Sequence, residues 1–287
     1  MNIYAVIAIV SAILVGGVIW YIKSRDEDDE DKGIDWSFLM GLSTDYCLLG
    51  HGNWEAHLEL LSDYNFNMIK VFLQCGWVGD VSGSDFRLYN GSDPNNINQA
   101  NLNSFVNFVN LANSKGIIVM ATLFVTNGGA FGNGMTHNKT ATNYRNYIET
   151  VARAVAGKGV ILDILNEEAN TAFIASANDI IKKINPSIRT NGYKVGGCDY
   201  ISYHKADKVF NSGANGIQSN DTAPAILSLS DDDYRNVTIG AKNGGKGVEW
   251  LLAWARDNSG YIGNDIGRIK AQYGGMLGKL KQIREDV

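Results

Sequence analysis

Cysteine is scarce in this chain of 287 residues: Cys47, Cys75 and Cys198 are all there is. Three scattered cysteines exclude a disulfide framework. Cys47 and Cys75 fall near the ends of adjacent predicted strands, where one disulfide is open. The expectation is two buried thiols, because free cysteine is among the most buried residue types. Neither a CxxC nor an HExxH spacing occurs, so structural zinc and a zincin centre are not expected. An excess of basic charge is also missing. Lys and Arg number 25 against 30 Asp and Glu, a formal net charge of -5. That balance argues against nucleic acid as the main partner. No Walker loop, dinucleotide fingerprint or fixed-period repeat is present, and no cofactor or metal is expected.

Long hydrophobic runs are absent except for one. Residues Ile3 to Ile22 carry no charge. Twenty helical residues reach about 30 Å, the thickness of a bilayer core. Tyr4, Trp20 and Tyr21 sit near its ends, as interfacial aromatics do. Residues 1–24 therefore read as a single transmembrane anchor binding a lipid membrane through 3–22. A cleaved signal peptide would need a basic start and a small-residue cleavage site, and neither is there. Residues 25–34 hold the acidic run Asp26 to Asp31 and read as a solvated linker. Lys23 and Arg25 after the span favour a cytoplasmic main domain by charge bias. That count is only two, and a single-pass, surface-facing arrangement is the expectation.

Residues 35–287 alternate strand-like and helix-like segments, the signature of a parallel α/β architecture. Strands are predicted at Phe38 to Ser43, Asn67 to Leu73, Ile117 to Val125, Val160 to Leu165, Tyr193 to Gly196, Tyr200 to Tyr203, Ala225 to Leu229 and Trp250 to Trp254. The connection between the fifth and sixth is too short for a helix. Eight strands in about 250 residues predict a (β/α)8 TIM barrel, whose chemistry sits on the loops after the strands.

On that face the telling feature is Asn166-Glu167, at the end of the fourth strand. Glycoside hydrolysis needs two carboxyl groups, one of which gives a proton to the leaving oxygen. Glu167 is the candidate proton donor, and Asn166 the candidate amide donor to a sugar hydroxyl. Asp163 and Lys70 are charges embedded in apolar strands, and a buried charge needs a partner, so they are expected to pair. His204 ends the sixth strand, where it could bind a hydroxyl or a carboxylate. Trp254 and, less centrally, Trp77 are candidate platforms for a sugar ring. For the second carboxylate the expectation is Asp231, in the cluster Asp231-Asp232-Asp233 after the predicted seventh strand. Glu249 is placed at the entrance to the eighth strand, at the wrong end.

These residues, in this order, resemble the cellulase-like (β/α)8 glycoside hydrolases of clan A, especially family 5, over about residues 36 to 285. Asp163-Ile-Leu-Asn166-Glu167 looks like the family's strand-four Asn-Glu with its acid/base, Tyr203-His204 like its strand-six region, and Trp254 like its strand-eight tryptophan. The resemblance implies retaining hydrolysis of a β-linked polysaccharide or oligosaccharide, with Tyr203 among the sugar contacts. The chain departs from the pattern in four places. Glu168, not Pro, follows Glu167. Lys70 stands where Arg is usual. The third strand has no terminal His, and the seventh lacks the family's Glu. The alternative implied by that last departure is a catalytically inactive barrel that binds carbohydrate or serves as a surface module.

Overall fold

The computed structural model describes residues 34–74, 86–91, 93–125, 140–204, 210, 212–220, 229–252, 255–257 and 260–287. Eight parallel strands close into a barrel in chain order: β1 Leu39–Ser43, β2 Met68–Phe72, β3 Ile118–Val125, β4 Val160–Asn166, β5 Arg189–Tyr193, β6 Tyr200–His204, β7 Gly216–Asn220 and β8 Gly247–Leu251, which pairs back onto β1. Around it run α1 Leu48–His51, α2 Trp54–Asp63, α3 Gln99–Ser114, α4 Arg145–Val155, α5 Thr171–Ile184, α6 Asp231–Gly244 and α7 Ile266–Asp286. A short antiparallel pair, β9 Arg256–Asp257 and β10 Gly260–Tyr261, lies between β8 and α7.

Local sequence explains these elements. In β3 all eight residues are buried, as a parallel strand covered on both faces requires. α4 buries Tyr147, Ile148, Val151, Ala152 and Val155, one stripe at helical spacing. Helix starts are capped where the sequence supplies a short acceptor. The Asn98 side chain accepts from Asn101 N–H at 3.2 Å, and Asn170 accepts from Phe173 N–H at 3.1 Å. Asp265 accepts from Arg268 N–H at 3.0 Å, and Ser230 with Asp233 closes a capping box on α6.

Inside the barrel two layers follow each other along the strands. At the N-terminal ends Leu39, Met68, Ile118, Met120, Ile161, Tyr200 and Ile217 form an apolar floor, with Ile34 and Trp36 packed against it. Beyond it the inward positions turn polar. Between helices and sheet lies the larger core, to which every α element from α1 to α7 contributes. Asn67 ties β1 to the strand beside it. Its Oδ1 accepts from Met40 N–H at 2.8 Å, and its Nδ2 donates to the carbonyl of Phe38 at 2.9 Å.

Three strands lie elsewhere than the sequence reading put them. β5 ends at Tyr193 rather than beginning there, and β8 starts at Gly247 rather than Trp250. β7 is Gly216–Asn220, not the apolar run Ala225 to Leu229, of which only Leu229 is described and is not in a strand. The polar sequence Gly-Ile-Gln-Ser-Asn is nonetheless fully buried, which hid it from a search for apolar runs. The lost helix between β5 and β6 is as expected. Cys198 is free but Cys47 is disulfide-bonded, which corrects the reading of Cys47 as a buried thiol. The anchor proposed for residues 1–24 and all but the last residue of the linker proposed for 25–34 lie outside the described residues; Ile34 packs against the barrel floor rather than being solvated linker. Among the described residues no helix is long and apolar enough to cross a membrane.

Candidate functional site

Because all eight strands are parallel, their C-terminal ends share one face, and the site is built there from β4 outward. Asp163 is fully buried and bridges three neighbours. Lys70 Nζ lies 3.1 Å from its Oδ2, the Thr122 hydroxyl donates at 2.8 Å, and Asn191 Nδ2 donates at 2.7 Å. The Lys70–Asp163 pair expected from the sequence is therefore present. Lys70 also donates to Asn166 Oδ1 at 3.0 Å. That contact fixes which end of the amide faces the ammonium. The stacked rings of Tyr46 and Phe72 lie 5.8 and 5.9 Å from Lys70 Nζ and add cation–π attraction.

Burial works against the Lys70 charge, but the carboxylates of Asp163, Glu249 and Glu167 outweigh it and hold the ammonium above its ordinary pKa. Asn166 is buried and closes β4, and Glu167 follows it half-buried. Glu167 adopts a left-handed backbone, φ 57°. A side chain there costs about 1–2 kcal/mol, and such conformations collect at functional sites. The turn redirects the chain between β4 and α5 and sets Glu167 at the mouth beside Asn166.

Glu249 is the residue that sequence reasoning misplaced. It lies in the middle of β8, opposite Gly41 of β1 and Ser219 of β7, with no solvent exposure. The Ser43 and Ser219 hydroxyls donate to its two carboxylate oxygens, each at 2.6 Å. Ser43 Oγ in turn accepts from Lys70 N–H at 3.0 Å. Gly41 leaves the room for this. A Cβ at position 41 would come within 3.4 Å of Glu249 Cγ and 2.7 Å of Met68 Cε. The available signal was the one that identified Asp163, an acidic residue alternating with apolar ones in Gly247-Val-Glu-Trp-Leu251. A buried polar layer results: Ser43, Lys70, Thr122, Asp163, Asn191, Ser202, Ser219 and Glu249.

The structure engages Asp231 in the helix layer rather than in the buried polar layer. It opens α6 with its side chain 68% exposed and its carboxylate 2.5 Å from Lys279 of α7, on the outer layer. The expectation for Asp231 is corrected for that reason: it stands in the first turn of a helix capped by Ser230 and joins a surface ion pair. Tyr203 and His204 are the last residues of β6, paired with Gln218 and Ser219, and Tyr203 is half-buried. Trp77 and Trp254 lie outside the described residues. Asp45, the other buried carboxylate after β1, is engaged by His51 Nδ1 and by Cys47 N–H, the latter at 2.9 Å.

No family model matches the chain, and no curated protein matches it. Solved structures do. A broad-specificity endoglucanase of glycoside hydrolase family 5 from an uncultured bacterium aligns with TM-score 0.57 at 11% identity, over 80% of this chain and 84% of that one. A β-mannanase from the blue mussel Mytilus edulis aligns with TM-score 0.55 at 11% identity, over 82% and 92%. An exo-β-1,4-mannosidase from Opitutaceae bacterium strain TAV5 aligns with TM-score 0.55 at 13% identity, over 86% of this chain and 57% of that one. The likeness is one of fold: the chain has the (β/α)8 barrel found in glycoside hydrolase family 5.

Proposed function

We propose that this protein is glycoside hydrolase-like and hydrolyses a β-linked glycan, with Glu167 as the proton donor. The observation that carries this reading is the β4 terminus. A half-buried carboxyl stands on a left-handed turn beside an amide whose orientation Lys70 fixes. Rigid placement of the acid and of a neighbouring hydrogen-bond donor is what glycoside cleavage requires of a protein. Glu167 gives its proton to the leaving oxygen, and Asn166 binds a hydroxyl beside the reacting carbon. Tyr203, His204, Trp77 and Trp254 are the proposed further sugar contacts. The barrel shared with an endoglucanase, a mannanase and a mannosidase supports a β-glucan or β-mannan as substrate class. The Cys47 disulfide supports an oxidising compartment, hence a main domain facing outward from an anchor at residues 3–22.

A second reading, a barrel that binds glycan without turnover, is favoured by β7. As described it ends Gln218-Ser219-Asn220 and offers no carboxylate to complete the pair. Asp221, next in sequence, lies outside the described residues. The test is release of reducing ends from β-glucan and β-mannan polymers by the wild type and by Glu167→Gln and Asp221→Asn. Hydrolysis needs turnover in the wild type and a loss of at least about 10²-fold in Glu167→Gln with binding kept. Turnover undiminished in that variant removes Glu167 from the role. Glycan binding with no wild-type turnover establishes the second reading.

A further inference from the structure

A proton donor beside a buried ammonium presents a conflict. Lys70 lies in the field of Glu167 and favours its ionised form, which has no proton to give. One carboxylate, Asp163, pairs directly with Lys70, which brings the layer beneath the mouth to neutrality. Glu249 adds a second negative charge to the same layer. Its two oxygens each accept from a serine hydroxyl, as an ionised carboxylate does, and Lys70 responds to its charge. It is fully buried with both oxygens engaged, so it is not placed to touch a sugar.

We propose that Glu249 is a positioning residue whose buried negative charge offsets Lys70 and so keeps the Glu167 carboxyl protonated for proton donation. This rests on the reading of Glu167 as the acid. With Lys70, Asp163 and Glu249 all ionised, the layer carries one net negative charge, and in a dry interior that charge opposes formation of another above it. The cation can then hold Asn166 in place without making Glu167 too strong an acid. Among the other described titratable residues at this end of the barrel are Asp45, Tyr46 and His51 after β1, His57 of α2, Glu168 next to Glu167, Tyr193 and Lys194 at the end of β5, and Tyr203 with His204 at the end of β6; the Tyr46 ring lies 5.8 Å from the Lys70 ammonium. Asp45 and His51 pair with each other, and the Lys194 ammonium lies 4.7 Å from the Tyr193 ring.

The experiment follows the Glu167 carboxyl by 13C NMR titration in the full-length chain, with the resonance assigned by its loss in Glu167→Gln. Glu249→Gln keeps the shape and removes the charge; its amide oxygen still accepts from one serine, and its N–H donates to the other, whose hydroxyl turns to accept. Asp163→Asn removes the other negative charge, and tests the same idea should the first variant fold poorly. In either variant the Glu167 midpoint should fall by about half a pH unit or more. The alkaline limb of the pH–rate profile should move with it, a loss of about threefold at fixed pH on that limb. A purely structural role would lower yield or stability without a directed shift. A midpoint that is unchanged or raised in a folded variant overturns the proposal. A wild type without turnover sinks the hydrolase reading but leaves the NMR midpoint to decide this one.

Discussion

His57 of α2 makes the structure answer to acid in a predictable way. Its ring is fully buried, its Nδ1 shares a 2.6 Å hydrogen bond with the Thr44 hydroxyl, and its Nε2 has no hydrogen-bond partner among the described residues. A protonated ring would bury a charge and an unpaired N–H together. Burial pushes its pKa down to about 4, against the favourable charge of Asp45. In the unfolded chain His57 takes up its proton near 6.5. Between those values the unfolded state binds more protons, so stability falls as pH drops from about 6.5 to about 4 and then levels off for this group. The drop from 6.5 to about 4, at about 1.4 kcal/mol for each pH unit, corresponds to about 3.5 kcal/mol. Urea unfolding followed by tryptophan fluorescence at pH 7.5, 6.5, 5.5 and 4.5 measures it. His57→Leu will be less stable at neutral pH, because Thr44 loses its partner, but its stability should fall less steeply with acid. The difference between the two curves isolates His57, since His51 and the carboxylates are common to both. Parallel curves across the window would refute the reasoning.

Other perturbations follow from the same contacts. Lys70→Met leaves Asp163 and Glu249 buried without their cation and should cost about 3–5 kcal/mol in chemical unfolding; a loss below 1 kcal/mol would mean that the layer is hydrated or neutral. Asn67→Ala strips partners from Met40 N–H and the Phe38 carbonyl, both inside the barrel wall, and should cost about 2–4 kcal/mol. Asp231→Asn removes only an exposed pair with Lys279. It should change stability by less than about 1 kcal/mol and leave glycan turnover at the wild-type rate; a collapse of turnover would return Asp231 to the site.

The barrel was legible because β2, β3 and β4 are apolar runs of the length a doubly covered strand needs, and because helices such as α4 repeat apolar residues at helical spacing. Lys70 and Asp163 stood out as charges inside such runs, and their pairing followed from the cost of leaving either alone. β7 was missed for the opposite reason. Its buried Gln218, Ser219 and Asn220 look like loop residues, and nothing local says that a closed barrel will enclose them. The next apolar run was taken in its place, which moved the predicted carboxylate to Asp231. The same shift put Glu249 at a strand entrance. Only the pairing of β8 with both β1 and β7 shows it at the centre of the barrel.

The apolar floor of Leu39, Met68, Ile118, Met120, Ile161, Tyr200 and Ile217 has a consequence for how this molecule can change over generations. Its side chains come from the starts of six strands, while the candidate chemistry hangs from the other ends. Substitutions in the loops after β4, β6 or β7 leave those contacts intact, so specificity can drift, or activity be lost and regained, on a foundation that selection for folding alone maintains. Lys70, Asp163 and Glu249 are the exception. Each sits where the foundation meets the site, so a change at any one of them is felt by the barrel and by the site together.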